Sequence, residues 1–327
     1  MPKSDRSDGD AHFEFDRTRD GDLHAALKKE GYRLPKELLQ RSKAQILLSG
    51  ARPFGYIAAA IGLASAGLAW PLVILAALPL FLAAQRAFLT LVHDASHKLY
   101  SEDRATNDLL ADFFAAGFIG MLLRKYRKIH LAHHAANGSA DDPEYFGYEV
   151  VTRAGGMARF ILRYALGFEI LYLLRKYHVG QDEYLGAKRI RKGSVDDVRR
   201  FEKLSIVTSQ LALLAAMWAG GCLYLYPVWA YVAMSWSPLL SRLRFLAEHP
   251  GHGQLTKSTR GTWWELVYFA PYHFNFHLEH HLWPSLPPYR LPEAHDSLLR
   301  SGFFERNPSF LANSFVETLG EYPSGKA

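Results

Sequence analysis

The sequence predicts an all-α integral membrane protein in which two transmembrane helical hairpins, four spans in all, carry a cytosolic helical cap. Three observations predict it. The 33 residues from Pro53 through Gln85 and the 38 from Leu204 through Ser241 contain no Asp, Glu, Lys or Arg. Charge is concentrated in the segments around them, so the mean hydropathy of −0.09 averages two unlike parts. Of 15 histidines, 11 fall at positions 93–97, 130–134 and 249–281, all outside the charge-free stretches.

The apolar fraction of 49% and the single cysteine, Cys222, exclude a disordered chain, a collagen and a disulfide scaffold. A net charge of +6 raises the question of nucleic acid, but the basic residues flank the apolar stretches without a nucleic-acid motif, so none is expected as a partner. Residues 1–20 are polar and lack an apolar h-region, so no cleavable signal peptide is expected. The whole chain, 1–327, reads as one domain, beginning with a cytosolic segment over 1–50.

Each charge-free stretch is too long for one crossing, which takes roughly 20 helical residues. Trp70-Pro71 divides the first and Tyr224-Leu225-Tyr226-Pro227 the second, because a proline can open a new helix and aromatic rings sit at the interface. The spans are therefore expected near 53–69, 72–92, 204–223 and 227–243, with the cap formed by 93–203 and 244–327. Arg33, Lys36, Arg41, Lys43 and Arg52 precede the first hairpin, and Lys98 and Arg104 follow it. Lys188, Arg189, Arg191, Lys192, Arg199, Arg200 and Lys203 precede the second, which Arg242 and Arg244 follow. The positive-inside rule then places both termini, and every histidine block, in the cytoplasm of a multi-pass protein. Asn107–Leu123 and Gly155–Tyr177 are apolar but interrupted by charge and read as interfacial helices.

The first histidine block is His93-Asp-Ala-Ser-His97, where i,i+4 spacing turns both imidazoles to one side of a helix. His130-Leu-Ala-His133-His134 and His277-Leu-Glu-His280-His281 share a second pattern, i,i+3 and i,i+4 from one anchor. Eight such histidines exceed what one tetrahedral ion can use, so two metal ions are expected. No His-Glu-x-x-His zinc motif is present, and neutral imidazoles with open positions suit iron. Asp94, Asp112, Asp142 and Glu279 are either acceptors for imidazole N–H groups or solvated carboxylates. His273, four residues before His277, can hydrogen-bond near the metal. His12, His24, His178 and His295 read as surface or packing residues.

These blocks resemble the membrane-bound fatty acid desaturase and hydroxylase family. The resemblance runs from His93-Asp-Ala-Ser-His97 through Asn137-Gly and Asp141-Asp142-Pro143 to Tyr272-His273-Phe-Asn-Phe-His277-Leu-Glu-His280-His281-Leu-Trp-Pro284. The Leu-Pro-Pro-Tyr-Arg-Leu-Pro run at 286–292 is similar to the family's segment after its last box. It implies four spans under a cytosolic cap, with a di-iron centre of two iron ions, Fe2+/Fe3+, held by histidines where cap meets membrane. A further ligand is implied after the fourth span, where His249 matches and His252 is the rival. Related acyl-CoA enzymes hold a water with an asparagine four residues before that histidine, and Phe245 stands there instead.

The resemblance also implies the activity: O2-dependent oxidation of an unactivated C–H bond, with desaturation of a fatty acyl chain as the leading outcome. Hydroxylation or ketone formation on a lipid, carotenoid or small amphipathic molecule is the alternative. A metal transporter is the remote alternative, opposed by the stretch 53–85, which offers no polar group beyond Ser65 and Gln85. The chain carries no iron–sulfur cysteines, nucleotide-binding glycine motif or fused haem domain, so a separate ferredoxin or cytochrome b5 with its reductase is expected to deliver electrons. Arg124-Lys125-Tyr126-Arg127-Lys128 is read either as that donor's dock or as an anchor for anionic lipid heads. The apolar hairpins are expected to line a greasy substrate tunnel.

Overall fold

The computed structural model describes residues 20–137, 142–144, 151, 155–168, 200–249 and 256–321. Asp141, His252 and the basic positions 188–199 used above lie outside them. The described residues are mostly helical, with almost no sheet. Helix α1 (Asp20–Lys29) leads to α2 (Lys43–Ser65) and α3 (Trp70–Ser96), the first hairpin. These last two are the described helices long and apolar enough to cross a bilayer.

The first helix starts ten residues before the charge-free stretch. Ser42 accepts a hydrogen bond from Gln45 N at 3.4 Å and caps it, and Pro53 lies inside. Leu47 and Leu48 are largely exposed, as are Trp70, Leu72 and Leu75 of α3. On the inner face, Val73, Ala77, Phe81, Ala84 and Phe88 recur at helical spacing and bury against Ile57 and Ala60. The four-residue link between the helices turns at Gly67, whose φ of +73° costs a glycine little.

Helix α4 (Arg104–Phe114), capped by Asp103 through Thr106 N at 2.7 Å, and a 3-10 turn over Ala116–Ile119 occupy the first interfacial segment. Helix α5 (Leu123–Ala136) follows, and α6 (Met157–Ala165) covers the described part of the second such segment. Helix α7 (Arg200–Ala219) lies where the third span was expected, with Val207, Leu211 and Trp218 turned outward. The fourth differs from expectation. It is two helices, α8 (Leu225–Met234) and α9 (Trp236–Glu248), broken at Ser235. Pro238 has no N–H to return to the Met234 carbonyl, so the backbone cannot run through in one helix.

The cap closes with α10 (Trp263–Tyr268), α11 (His277–Leu282), α12 (Leu291–Arg300), α13 (Phe303–Arg306) and α14 (Phe315–Gly320). A two-residue parallel pairing ties β1 (Ser258–Thr259) to β2 (Leu311–Ala312). Leu23 and Leu27 of α1 pack with Leu278, Leu282, Leu298 and Phe303, so the N-terminal helix supports the helix carrying the third histidine block.

Two of the four cations in the basic run, Arg124 and Arg127, are engaged within the fold. Arg124 Nη1 lies 3.0 Å from both Asp112 and Glu202. Arg127 is buried against the Asp108 carboxylate and donates to the Ala95 carbonyl at 2.9 Å and the Ser96 carbonyl at 3.2 Å. These two arginines brace α3, α4, α5 and α7.

Gly117 is where α7 comes closest to the turn after α4. A Cβ there would meet Ser209 Oγ at 2.4 Å and the Ser205 carbonyl oxygen at 2.5 Å. Gly117→Ala is expected to destabilise the purified protein by about 1–3 kcal/mol, read as a lower thermal midpoint. Gly50→Ala, with nothing within 4 Å of the new methyl group, is the neutral control.

Candidate metal centre

All three histidine blocks and His249 meet at one place. His93 is near the end of α3 and His97 caps it; α5 carries His130, His133 and His134; His249 caps α9; α11 carries His277, His280 and His281. Helical spacing does the local work, as each block presents its imidazoles on one side. The arginine brace fixes α5 against the end of α3, and Asn107 Nδ2 adds a bond to the Ala95 carbonyl at 2.9 Å.

The imidazoles form two groups. His93, His97, His130, His134 and His280 place one ring nitrogen each within 4.8 Å of one another. His133, His249 and His281 do the same, and His249 also belongs to a triad with Glu248 and His277. The second group is thus two overlapping triads that share His249.

Burial holds these imidazoles neutral. It pulls His97 down to about 3, with His281 and Arg127 adding to the effect. His130, His134, His249, His277 and His280 are likewise pulled well below the ordinary imidazole value, first by burial and then by repulsion from charged neighbours, chiefly other imidazoles. Neutral rings keep a lone pair each for a metal ion.

The donor set fits metal. His130 Nε2 lies 2.9 Å from His97 Nε2 and 3.0 Å from His134 Nε2, which lies 3.1 Å from His280 Nε2. A neutral imidazole nitrogen carries either one N–H or one lone pair, so the three contacts among these four nitrogens cannot all be hydrogen bonds, whereas a cation among them can take a lone pair from each ring. Both ring nitrogens of His93, and Nδ1 of His249, are buried without a hydrogen-bond partner. Two groups of lone pairs, held without net positive charge, match two metal ions of the imidazole-loving kind, iron among them.

The carboxylates divide. Asp142 accepts from His133 Nδ1 at 2.9 Å, fixing the tautomer that leaves Nε2 for metal. Asp94 is buried with one oxygen 3.5 Å from His93 Nδ1 but without hydrogen-bond geometry. Asp112 faces Arg124 and not an imidazole of either group. Glu279 turns to the back of α11, where it accepts from Ser258 Oγ and lies 2.6 Å from His295 Nδ1. It positions the helix, and His295 is part of that support where the sequence offered it only as a packing residue. His273, at φ +64°, lines a separate cavity of about 600 Å³ with Arg52, Asp94 and Tyr272, and belongs to neither metal group.

Sequence reasoning missed Glu248. It is buried, receives a bond from Arg244 Nε at 2.7 Å, and points its other oxygen at His277 Nε2, 3.3 Å away. Burial pushes its carboxyl up to about 7 against the pull of Arg244. Its adjacency to His249 was the available signal.

A second cavity, of about 420 Å³, reaches the cluster. His93, His130, His133, His249 and His277 form one end of it, and Leu89, Ile119, Met121 and Ala233 line its apolar part. Thr90, Ser237 and Arg242 add polar lining. Phe245, the residue at the asparagine position, stacks beside His249 with ring centroids 4.7 Å apart.

Residues 68–310 match the family described as Fatty acid desaturase, about three quarters of the chain. The chain belongs to the fatty acid desaturase family. Comparison with curated proteins finds no match.

Two outcomes are expected from this geometry. Asp142→Asn removes the carboxylate behind His133 and should weaken retention of metal by roughly 10–100-fold, measured as metal per chain against a graded chelator. In the metal-free protein, an imidazole neutral when folded but protonated when unfolded favours unfolding as pH falls. For His97, with an ordinary value of 6.5 and a folded one of about 3, stability is complete above pH 6.5 and is lost progressively from there towards pH 3. The thermal midpoint should therefore drop between about pH 7 and about pH 5; equal midpoints would contradict a buried neutral cluster.

Proposed function

We propose that this member of the fatty acid desaturase family holds two iron ions in its paired histidine groups and oxidises an unactivated C–H bond of a lipid, most directly by introducing a double bond into a fatty acyl chain. The observation that carries the reading is the convergence of nine imidazoles, seven of them buried, into two groups that reach a cavity. When bound, the irons supply O2-dependent oxidising power, beyond what side-chain acid–base chemistry can reach. His93, His97, His130, His134 and His280 would hold the first ion, and His133, His249, His277 and His281 the second.

The chain's own residues bind and aim the substrate. Leu89, Ile119, Met121 and Ala233 give an alkyl segment an apolar bed leading to His93 and His133. Phe274 packs edge-on against His93, with centroids 4.3 Å apart, and helps keep water from the first group. The break at Ser235 turns α9 so that its last residues, Glu248 and His249, meet the cluster. Electrons would come from a separate ferredoxin or cytochrome b5 with its reductase. Helix α7 and the broken pair α8 and α9 are taken as the third and fourth crossings, with both termini cytoplasmic.

One observation favours a second outcome on the same scaffold. Arg242, Thr90 and Ser237 give the cavity a polar side, and Arg242 has no ion-pair or hydrogen-bond partner among the described residues. That suits hydroxylation or ketone formation on a smaller amphipathic molecule better than a wholly apolar tunnel would.

Expression in a host with native lipids, followed by mass spectrometry of every lipid class, tests the reading against a His280→Ala control. New unsaturated acyl chains that the control lacks are the expected result. New oxygenated species alone would select the second outcome, and no new species in any lipid class would overturn the acyl reading.

A further inference from the structure

The second metal group has one imidazole fewer than the first, and a carboxylate stands at the gap. We propose that Glu248 is itself a ligand of the second metal ion through Oε2, so that each ion has five protein ligands. The inference rests on the metal-binding reading above.

Glu248 ends α9 and precedes His249 directly, so one turn of backbone delivers both side chains to the same place. Its two oxygens have different fates. Oε1 is held by Arg244 Nε at 2.7 Å. Oε2 lies 3.3 Å from His277 Nε2, which lies 3.2 Å from His249 Nε2. One donor atom from each of the three residues falls within 4.8 Å of the others, as in the two all-histidine groups.

Arg244 Nη2 also lies 3.3 Å from His277 Nδ1. A guanidinium only donates, so in this arrangement the His277 proton sits on Nε2, facing Glu248 Oε2. For a divalent cation to lie among Oε2 and the two Nε2 atoms, the single proton of the neutral His277 ring moves from Nε2 to Nδ1, and Arg244 Nη2 gives up its contact there while Nε keeps its bond to Oε1. Arg244 is itself anchored by its guanidinium 4.7 Å above the Phe274 ring, so it fixes one carboxylate oxygen and frees the other.

Two further features agree. Phe245, beside His249 and His133 with centroids 4.7 and 5.9 Å away, has no group that could bind metal or hold a water on that side. Neutral imidazoles bring no charge to two dications, whereas Glu248 brings one negative charge to the second.

The test uses the full chain, purified in detergent and loaded with ferrous iron, as wild type, Glu248→Gln, Glu248→Asp and His281→Ala. Iron per chain is measured before and after dialysis against a ferrous chelator, and 57Fe Mössbauer spectra are recorded. Wild type should retain about two irons in inequivalent sites. Glu248→Gln should fall to about half the wild-type iron and lose the second site's signal, as His281→Ala does. Glu248→Asp, which keeps the carboxylate, should retain more iron than the Gln variant. A Gln variant with wild-type iron and an unchanged spectrum overturns the proposal. Wild type holding far less than two irons would instead overturn the metal reading on which it rests. If the Gln variant does not fold, a structure of the iron-loaded wild type decides: Oε2 about 2.2 Å from iron supports the proposal, and Oε2 out of bonding range overturns it.

Discussion

Nine imidazoles brought together, seven of them buried, are a constraint that the rest of the molecule serves. Protonated, they would repel and pay the cost of dehydrated charge; neutral, they face one another in more contacts than their single N–H groups can satisfy, and a cation among them takes up the lone pairs. The fold therefore has to exclude water around the cluster and also hold each ring against its neighbours' repulsion. Packing alone does not do this, because the four contributing elements come from distant parts of the chain.

The arginines perform that second task. Arg127 joins the last carbonyls of α3 to Asp108 of α4 from within α5, so the first and second histidine blocks cannot slide past each other without breaking a buried ion pair. Arg124 extends the brace to Glu202 at the start of α7. Arg86 reaches from α3 to the Tyr268 and Phe269 carbonyls at 2.8 Å and so couples the apolar hairpin to the cap. Such networks are costly to break one partner at a time. They supply the rigidity that a metal centre needs if its ligands are to stay in place when electrons come and go.

What the sequence made legible was local. The three blocks could be read because helical spacing alone puts their imidazoles on one side, and the first hairpin because apolar length and a dividing Trp-Pro need no partner to recognise. The residues that escaped reading depend on contacts across the chain. Apolarity runs unbroken through Ser235, and Pro238 was the one sequence mark of the break between α8 and α9. Glu279 and His295 are 16 residues apart and meet only when α12 folds back on α11. Arg124 and Arg127 looked like surface charge because their acceptors, Asp108, Asp112 and Glu202, lie in other helices.

The carboxylates also make the two metal groups unlike. Asp142 stands behind His133, and Glu248 beside His277; both serve the second group. In the first, Tyr126 stacks on His130, with ring centroids 5.4 Å apart. The cavity touches both groups, His93 and His130 of the first and His133, His249 and His277 of the second. A substrate lying in it would thus face two ions in different electrostatic settings. The apolar bed of Leu89, Ile119 and Met121, set against the polar side at Arg242, gives an amphipathic molecule one preferred direction of entry. Orientation in that cavity, more than the ligand set, would then decide which carbon is oxidised.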